Sequence, residues 1–163
     1  MSVMTGLEIR LDDLSGEPTR ALVARHLEGM HATTPAEAVF ALDVDALRAE
    51  DVTFWSLWSG DDIVAMGALK ILDADNGEIK SMRVADAFLR KGAGRIMLRH
   101  ILSVAHERDL KTLWLETGPT PGFAPAHGLY LSEGFEFCGP FGDYTVSPFS
   151  VFMTKRLSPG RDD

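Results

Sequence analysis

The sequence predicts one domain of mixed α/β (α+β) class, in which about four helices flank a mostly antiparallel sheet of six to seven strands. Two observations support this fold class. Three β-patterned runs follow one another between residues 52 and 84 with only short turns between them, which indicates an antiparallel meander. A glycine-containing loop, an amphipathic helix and a further β-patterned run come next, and this order indicates a right-handed parallel crossover.

The composition limits the function classes that such a domain can serve. The chain has 163 residues, of which 45% are hydrophobic and 25% charged, and this is enough for a core without disulfides. No apolar run approaches the ~20 residues of a membrane-spanning helix, and residues 1–8 lack a secretion-signal pattern, so we expect a cytoplasmic protein. The net charge of −8 argues against nucleic acid as a partner. The single Cys138 excludes a disulfide framework or a cysteine-rich metal site.

The first third of the chain reads as one strand and two helices. Residues 7–11 alternate apolar and charged side chains, which predicts a half-buried strand. Pro18 stands at the start of a helical run over 19–30, a position that suits proline. Thr34 is the expected cap of a second helix that reaches residue 51.

The rest of the chain supplies the remaining elements. Further strands are predicted at 53–58, 63–69, 78–84, 111–116, 135–138 and 150–156, and further helices at 93–108 and 126–133. Gly134 ends the second of these helices. The polar tail after residue 157 is expected to fray, so the domain spans 1–163 with a core at about 7–157.

The loop from Leu89 to Arg95 reads Leu-Arg-Lys-Gly-Ala-Gly-Arg and joins a predicted strand to a predicted helix. Glycine lacks the Cβ that would keep a ligand away from the backbone, so successive N–H groups can donate to phosphate oxygens. The helix start adds unpaired N–H groups and a positive dipole end. Cations in such a place are often only a solvated surface, but Gly92 and Gly94 among them favour a site for a phosphate-bearing ligand.

Two familiar nucleotide-binding motifs do not fit this loop. A P-loop requires Lys-Ser/Thr directly after its second glycine, and Gly94 is followed by Arg95. A dinucleotide-binding fingerprint requires a third glycine where this chain has Met97. The spacing therefore predicts a different phosphate ligand.

The spacing resembles the coenzyme A loop of the GNAT superfamily of N-acetyltransferases, which reads Gln/Arg-x-x-Gly-x-Gly/Ala. Gly92 and Gly94 match its two small positions, whereas Leu89 stands where Gln or Arg is usual. The neighbouring Arg90 and Lys91 offer charge in its place. The resemblance implies that backbone amides, more than a side chain at residue 89, carry the binding.

A second resemblance lies downstream, where Ala126, Leu129, Tyr130, Gly134 and Phe135 match the superfamily's Ala-x-x-Leu-Tyr-x-x-x-Gly-Phe signature. Just before it, Phe123 takes the place of an Asn that is often found there. The order of elements agrees over nearly the whole chain, which implies the GNAT fold. The segments Leu-Glu-Thr-Gly at 115–118 and Pro-Phe-Gly-Asp-Tyr at 140–144 look like a little-characterised bacterial subgroup.

The resemblance implies acetyl transfer from acetyl-CoA to an amine by direct attack in a ternary complex, with no metal. Strand residues would pair with the pantetheine amides and the loop would hold the pyrophosphate, while His127 lies one helical turn from Tyr130. The cofactor-binding residues so implied are Met82, Arg83, Val84, Leu89, Arg90, Lys91, Gly92, Ala93, Gly94, Arg95 and His127. The alternative is a noncatalytic acyl-CoA-binding or regulatory module.

Catalytic and acceptor roles follow from the same resemblance. Tyr130 matches the tyrosine that protonates the CoA thiolate in this family. Glu78 and Glu116 lie at strand ends near the expected cleft and are both candidates for the general base, although either could be a solvated strand-end acid. The acceptor, a small amine or an exposed protein amine, would meet His31, Asp143 and Tyr144, although His31 could be a surface histidine and the loop of Asp143 and Tyr144 could be a packed aromatic loop that covers the sheet. The exposed last strands also allow a homodimer.

Overall fold

The computed structural model describes residues 6–27, 44–118, 123–142, 144, 146 and 150–157. The strands are β1 (Leu7–Leu11), β2 (Val52–Ser59), β3 (Asp62–Ile71), β4 (Asn76–Val84), β5 (Thr112–Thr117), β6 (Glu136–Cys138) and β7 (Val151–Arg156). The helices are α1 (Glu17–Leu27), α2 (Ala93–Glu107) and α3 (Ala124–Ser132), with a 3₁₀ turn at Asp86–Phe88 and helical residues at 44–47. None of the described helices is long and apolar enough to cross a membrane.

Within the described residues, seven strands form one sheet in the order β1-β2-β3-β4-β5-β7-β6. Strands β1 to β4 are an antiparallel meander, α2 crosses over to bring β5 parallel to β4, and β7 lies antiparallel between β5 and β6. The predicted fold class, a mixed and mostly antiparallel sheet flanked by helices, is therefore confirmed.

Helix boundaries differ slightly from the prediction. Helix α1 begins at Glu17, ahead of Pro18, because proline fits the first helical turn, where its missing N–H has no intrahelical partner to lose. Helix α3 likewise begins two residues early at Ala124, with a proline in its first turn. The helix expected to reach residue 51 ends at residue 47, and a turn then leads into β2. Its predicted start and the tail after residue 157 lie outside the described residues.

Among the residues that the structure describes, two apolar clusters cover the two faces of the sheet. On the face that we call the α2 face, Met97, Leu98 and Ile101 pack on strand residues that include Leu113 and Leu115. On the opposite face, which we call the α1 face, a second cluster packs α1 and residues 44–47 against strands β2 and β3; its buried members are Leu14, Leu22, Val23, Val44, Leu47, Phe54, Met66 and Ala68. Side chains alternate along a strand, so each strand residue can be assigned to one of these faces.

Candidate active site

Strands β4 and β5 separate near the centre of the sheet. Their parallel ladder runs from Asn76 paired with Thr112 to Ile79 paired with Leu115, and β4 then continues to Val84 alongside β3. In the described part of the chain, no strand pairs with the β5-facing edge of residues 80–84. The sheet is therefore open at this point, with backbone donors and acceptors of β4 along one side of the opening.

A bulge in β4 explains why the two strands diverge. Lys80 pairs with Ala68 and Arg83 pairs with Met66, so two residues of β4 lie opposite the single Gly67. Ser81 has a φ of 56°, in the left-handed region that the first residue of a G1-type bulge adopts. Gly67 leaves room for the bulge, because a Cβ there would lie 2.9 Å from the sulfur of Met82. A bulge bends its strand and increases the local twist, which turns β4 away from β5.

The glycine loop lies at the end of β4 and uses its two glycines differently. Gly92 is the N-cap of α2 with a φ of 87°, and the space where its Cβ would stand is open. Gly94 permits close packing instead, because a Cβ there would lie 3.3 Å from Leu129 and 3.4 Å from Val84. The first turn of a helix leaves N–H groups without intrahelical partners, and Gly92 has no side chain to bond them. This end of α2 is suited to an anion.

Not every cation of the loop points toward that anion site. The guanidinium of Arg95 donates to Ser132 Oγ at 2.9 Å and forms an ion pair with Glu133, at the end of α3. Arg99 also pairs with Glu133, at 3.0 Å, and these hydrogen bonds and charges hold the pKa of the Glu133 carboxyl below its usual value. Arg90, Lys91 and Leu89 are exposed. The structure thus uses Arg95 to connect α2 with α3.

Tyr130 is the one side chain of α3 that is fully buried among the described residues. Its ring packs edge-on against Phe135, with centroids 5.5 Å apart. Burial raises the pKa of the phenol well above its ordinary value, so the group stays protonated through the physiological range. The side chain of the preceding residue, Leu129, lies beside Gly94, 3.3 Å from where a Cβ of that glycine would stand. This part of α3 is therefore next to the glycine loop.

The two predicted carboxylates lie on the α1 face, on either side of the opening. Glu78 is buried in β4, where the Tyr144 hydroxyl donates to its Oε2 at 2.7 Å and Lys80 Nζ is 3.6 Å away. Glu116, in β5, is exposed and accepts a hydrogen bond from Ser150. Burial, the hydrogen bond to Glu78 and the charges of both carboxylates raise the pKa of Tyr144. The Tyr144 hydroxyl therefore lies close enough to Glu78 and Glu116 for the charges of both carboxylates to act on it.

Aromatic rings hold Tyr144 in this position. The ring of Phe141 is 4.9 Å from that of Tyr144 and stacks on Trp114 at 5.4 Å, while Phe152 is 5.5 Å from Tyr144. Trp114 and Phe152 belong to β5 and β7. Phe141 and Tyr144 are in this way fixed to the α1 face of the sheet beside Glu78.

His127 lies at the junction between α3 and the end of β5. Its Nε2 is 2.8 Å from the carbonyl oxygen of Gly118, and its ring meets Phe137 edge-on at 5.5 Å. Phe123 packs directly over Gly118, where a Cβ would overlap its ring. These contacts connect the start of α3 with the end of β5. The remaining predicted acceptor residues, His31 and Asp143, lie outside the described residues.

The structure also adds polar side chains that sequence reasoning missed. Lys80 and Ser150 contact the two carboxylates. His26 of α1 lies beside Arg83, and burial, followed by the charge of Arg83, lowers the pKa of this histidine to about 4. The helical pattern of the sequence could have placed His26 in the last turn of α1. Its neighbour on β4 could not be predicted, because the bulge changes which face later residues of β4 occupy.

Comparison with known proteins gives consistent results. A family model described as the acetyltransferase (GNAT) family matches residues 17–135. The uncharacterized N-acetyltransferase YsnE of Bacillus subtilis (strain 168) is 47% identical over 151 residues, covering 93% of this chain and 100% of that protein. The uncharacterized N-acetyltransferase YedL of Escherichia coli (strain K12) is 49% identical over 149 residues, covering 91% of this chain and 94% of that protein.

Solved structures share the fold at lower identity. An acetyltransferase from Streptococcus agalactiae superposes with a TM-score of 0.74 at 16% identity, covering 94% of this chain and 99% of that one. The PaiA N-acetyltransferase from Thermoplasma acidophilum, solved in complex with coenzyme A, also has a TM-score of 0.74, at 15% identity, and covers 94% of this chain and 100% of that one. Both comparisons support the arrangement of sheet and helices described above.

Proposed function

The chain belongs to the GNAT family of acetyltransferases, as its sequence resemblance predicted, and on that premise we propose that it transfers an acetyl group from acetyl-CoA to an amine by direct attack in a ternary complex. One observation carries the proposal. The opening between β4 and β5 lies beside the glycine-capped end of α2 on one side and beside two carboxylates on the other. The thioester of acetyl-CoA and the acceptor amine can therefore bind next to each other in the opening between β4 and β5.

The cofactor half of the site uses backbone more than side chains. We place the pantetheine amides along the free edge of β4 at Met82, Arg83 and Val84, where the opening leaves donors and acceptors unengaged by β5. The pyrophosphate lies at the first turn of α2, from Gly92 onward, with Arg90 and Lys91 at its exposed rim. Leu89 and Ala93 shape the loop.

Tyr130 is proposed as the general acid. When the amine nitrogen forms its bond to the acetyl carbon, the carbon–sulfur bond breaks and the electron pair leaves with sulfur. Tyr130 then donates its phenolic proton to that thiolate. Its burial supports this role, because a buried phenol is kept protonated until the leaving group needs the proton.

Glu116 is the better placed of the two carboxylates to act as the general base. It is exposed at the opening and has one hydrogen bond from Ser150, whereas Glu78 is buried against Tyr144 and Lys80. We propose that Glu116 takes the proton of the incoming ammonium, directly or through a water. Glu78 then holds Tyr144 and adds negative charge that attracts a cationic amine.

The experiment that tests this function pairs two measurements on the whole protein. Calorimetric titration with acetyl-CoA reports binding, and release of free CoA with a panel of amines reports transfer. We expect binding, together with amine-dependent release that exceeds hydrolysis. Binding without release from any amine would instead support the noncatalytic acyl-CoA-binding module.

A further inference from the structure

Four polar side chains join the end of α3 to the first two turns of α2. They are Arg95, Arg99, Ser132 and Glu133, which we call the Glu133 cluster. Arg95 Nη1 donates to Ser132 Oγ at 2.9 Å and also pairs with Glu133 Oε2. Arg99 Nη2 is 3.0 Å from the same carboxylate oxygen. The Ser132 hydroxyl donates in turn to the carbonyl oxygen of Leu129, at 2.7 Å, so Arg95 is linked to the backbone of α3.

Packing joins the same two helices at a second place. A Cβ at Gly94 of α2 would lie 3.3 Å from the side chain of Leu129, so glycine lets the helices approach closely. Tyr130 follows Leu129 and precedes Ser132, so the proposed acid lies between the two contacts. The turn after α3 holds it as well, because the N–H of Phe135 donates to the Tyr130 carbonyl at 3.0 Å.

The α2 end of the cluster is the turn at which we place the pyrophosphate. Gly92 caps α2, and the N–H of Ile96 makes the first bond of the helix, to the Gly92 carbonyl at 3.1 Å. The preceding N–H groups, up to that of Arg95, have no acceptor within the helix. In the proposed site the pyrophosphate therefore contacts α2 and the thioester contacts Tyr130 on α3. The Glu133 cluster joins these two helices.

Glu133 is the central member of the cluster, because its carboxylate accepts both arginines. Its side chain is 12% exposed, against 40% for Arg95 and 64% for Arg99. Water and salt therefore screen this carboxylate less than they screen a fully exposed one. Without it, Arg95 keeps only the neutral Ser132 as a hydrogen-bond partner among the described residues. The position of α3 against α2 would then be less well fixed.

From these contacts we propose that Glu133 is a positioning residue for acetyl transfer. Acting through Arg95 and Arg99, it fixes the distance between the phosphate site on α2 and the Tyr130 hydroxyl on α3. A donor held by its pyrophosphate then presents its thioester sulfur to the acid, and binding energy from the remote phosphates orients the reacting groups. This inference rests on the proposed function, because it requires acetyl-CoA as the donor and Tyr130 as the acid.

The test compares two donors that share the pantetheine thioester and differ in the pyrophosphate. Acetyl-CoA has the pyrophosphate, and S-acetylpantetheine lacks both it and the nucleotide. Release of the free thiol, CoA or pantetheine, with one turned-over amine gives kcat/KM for each donor. The wild type should prefer acetyl-CoA by about 100-fold or more, the scale of two charge-assisted hydrogen bonds to phosphate.

Variants of Glu133 should change this donor preference without changing cofactor affinity. Glu133→Gln keeps the size of the side chain and removes the charge that holds both arginines. We expect kcat/KM for acetyl-CoA to fall by about 10-fold to 100-fold, the cost of a small misplacement of reacting groups. The value for S-acetylpantetheine should change little, because that donor is not held at α2 and can follow Tyr130. Calorimetry should give nearly the same dissociation constant for acetyl-CoA.

Two further variants complete the series. Glu133→Asp retains the carboxylate on a shorter chain and should keep part of the donor preference. Arg99→Met removes one partner of Glu133 one helical turn beyond Arg95, and should reduce the preference by a smaller factor. Arg99→Met decides the question if Glu133→Gln does not fold.

The matched control is Glu8→Gln. The Glu8 carboxylate also accepts an arginine, Arg10 Nη2 at 3.2 Å, but it lies on the edge strand β1, three strands away from β4. This control should leave the donor preference unchanged. Because the readout is a ratio of two donors within one variant, partial unfolding lowers both values and does not imitate the effect.

The outcomes separate this inference from the function on which it rests. A preference that falls in Glu133→Gln at constant acetyl-CoA affinity, and is retained in Glu8→Gln, supports the proposal. An unchanged preference, an equal loss with both donors, or a loss that parallels weaker acetyl-CoA binding overturns the positioning role and leaves the transferase intact. So does a wild type that uses S-acetylpantetheine as well as acetyl-CoA. Binding of acetyl-CoA without turnover of any amine overturns both.

Discussion

The hydroxyl of Tyr144 donates to the buried carboxylate of Glu78, although the two residues are 66 positions apart in the chain. This bond joins the loop before β7 to β4 across the top of β5. A buried acid that loses a hydrogen-bond donor pays the full cost of its desolvation, so the bond matters for stability as well as for the shape of the site.

Replacing Tyr144 by phenylalanine tests that bond. Tyr144→Phe removes the donor and keeps the ring, so the free energy of unfolding should fall by about 1–3 kcal/mol. Urea unfolding measures the change, and Glu78→Gln completes a double-mutant cycle. The two effects should be coupled by about 1 kcal/mol or more. Additive effects would show that the two side chains do not depend on each other.

Replacing Tyr130 by phenylalanine tests the proposed acid. Turnover should fall by about 100-fold or more, because general acid catalysis contributes on that scale, while the acetyl-CoA dissociation constant stays nearly the same. Because burial raises the pKa of Tyr130, the wild-type rate should show no loss of this acid as pH rises through the neutral and mildly alkaline range. Stopped assays of CoA release across pH measure both effects. Equal turnover in the two proteins would remove the acid role.

Replacing Gly92 by aspartate tests the anion site at α2. The change adds a negative charge to an open surface where phosphate is expected, so acetyl-CoA binding should be lost by calorimetry. Gly60→Asp is a matched control, because Gly60 also has a positive φ, of 61°, and open space at its Cβ position, but lies in the turn between β2 and β3. Both variants should lose a similar amount of stability from backbone strain. Retained binding in a folded Gly92→Asp protein would exclude this loop as the phosphate site.

The Glu133 cluster predicts a pH dependence of stability. The hydrogen bonds and charges of Arg99 and Arg95 lower the pKa of Glu133 below 4.5, so the folded protein favours the ionised form. This contribution to stability is present above pH 4.5 and is lost as the pH falls through the lowered pKa. The stability difference between the wild type and Glu133→Gln should therefore shrink as pH falls below that value. Glu136→Gln, on the exposed strand β6, is the control. If the stability difference between the wild type and Glu136→Gln shrinks in the same way as pH falls, Glu133 is not the source of the pH dependence.

Much of the fold could be predicted because its signals are local. The turn between β2 and β3, the amphipathic period of α2 and the glycine pair each depend on a few neighbouring residues, and the structure has the predicted strands and helices in the predicted order. Each such feature is fixed by periodicity or by the backbone freedom of one residue.

The rest could not be predicted because it depends on register and on distant contacts. The bulge at Ser81 shifts the alternation of β4 by one residue, which moves Arg83 onto the α1 face beside His26. The engagement of Arg95 by Glu133 depends on how α2 and α3 pack together, not on the loop sequence that places Arg95 near a phosphate. No local sequence pattern indicates that Arg83 lies on the α1 face or that Arg95 pairs with Glu133.

An initial-rate matrix that varies acetyl-CoA and a turned-over amine together tests the central claim most directly. Direct attack requires both substrates in the opening between β4 and β5 at once, so double-reciprocal plots should give intersecting lines. Parallel lines, together with CoA release before any amine is added, would mean that the acetyl group is first transferred to the protein. That result would contradict acetyl transfer in a ternary complex.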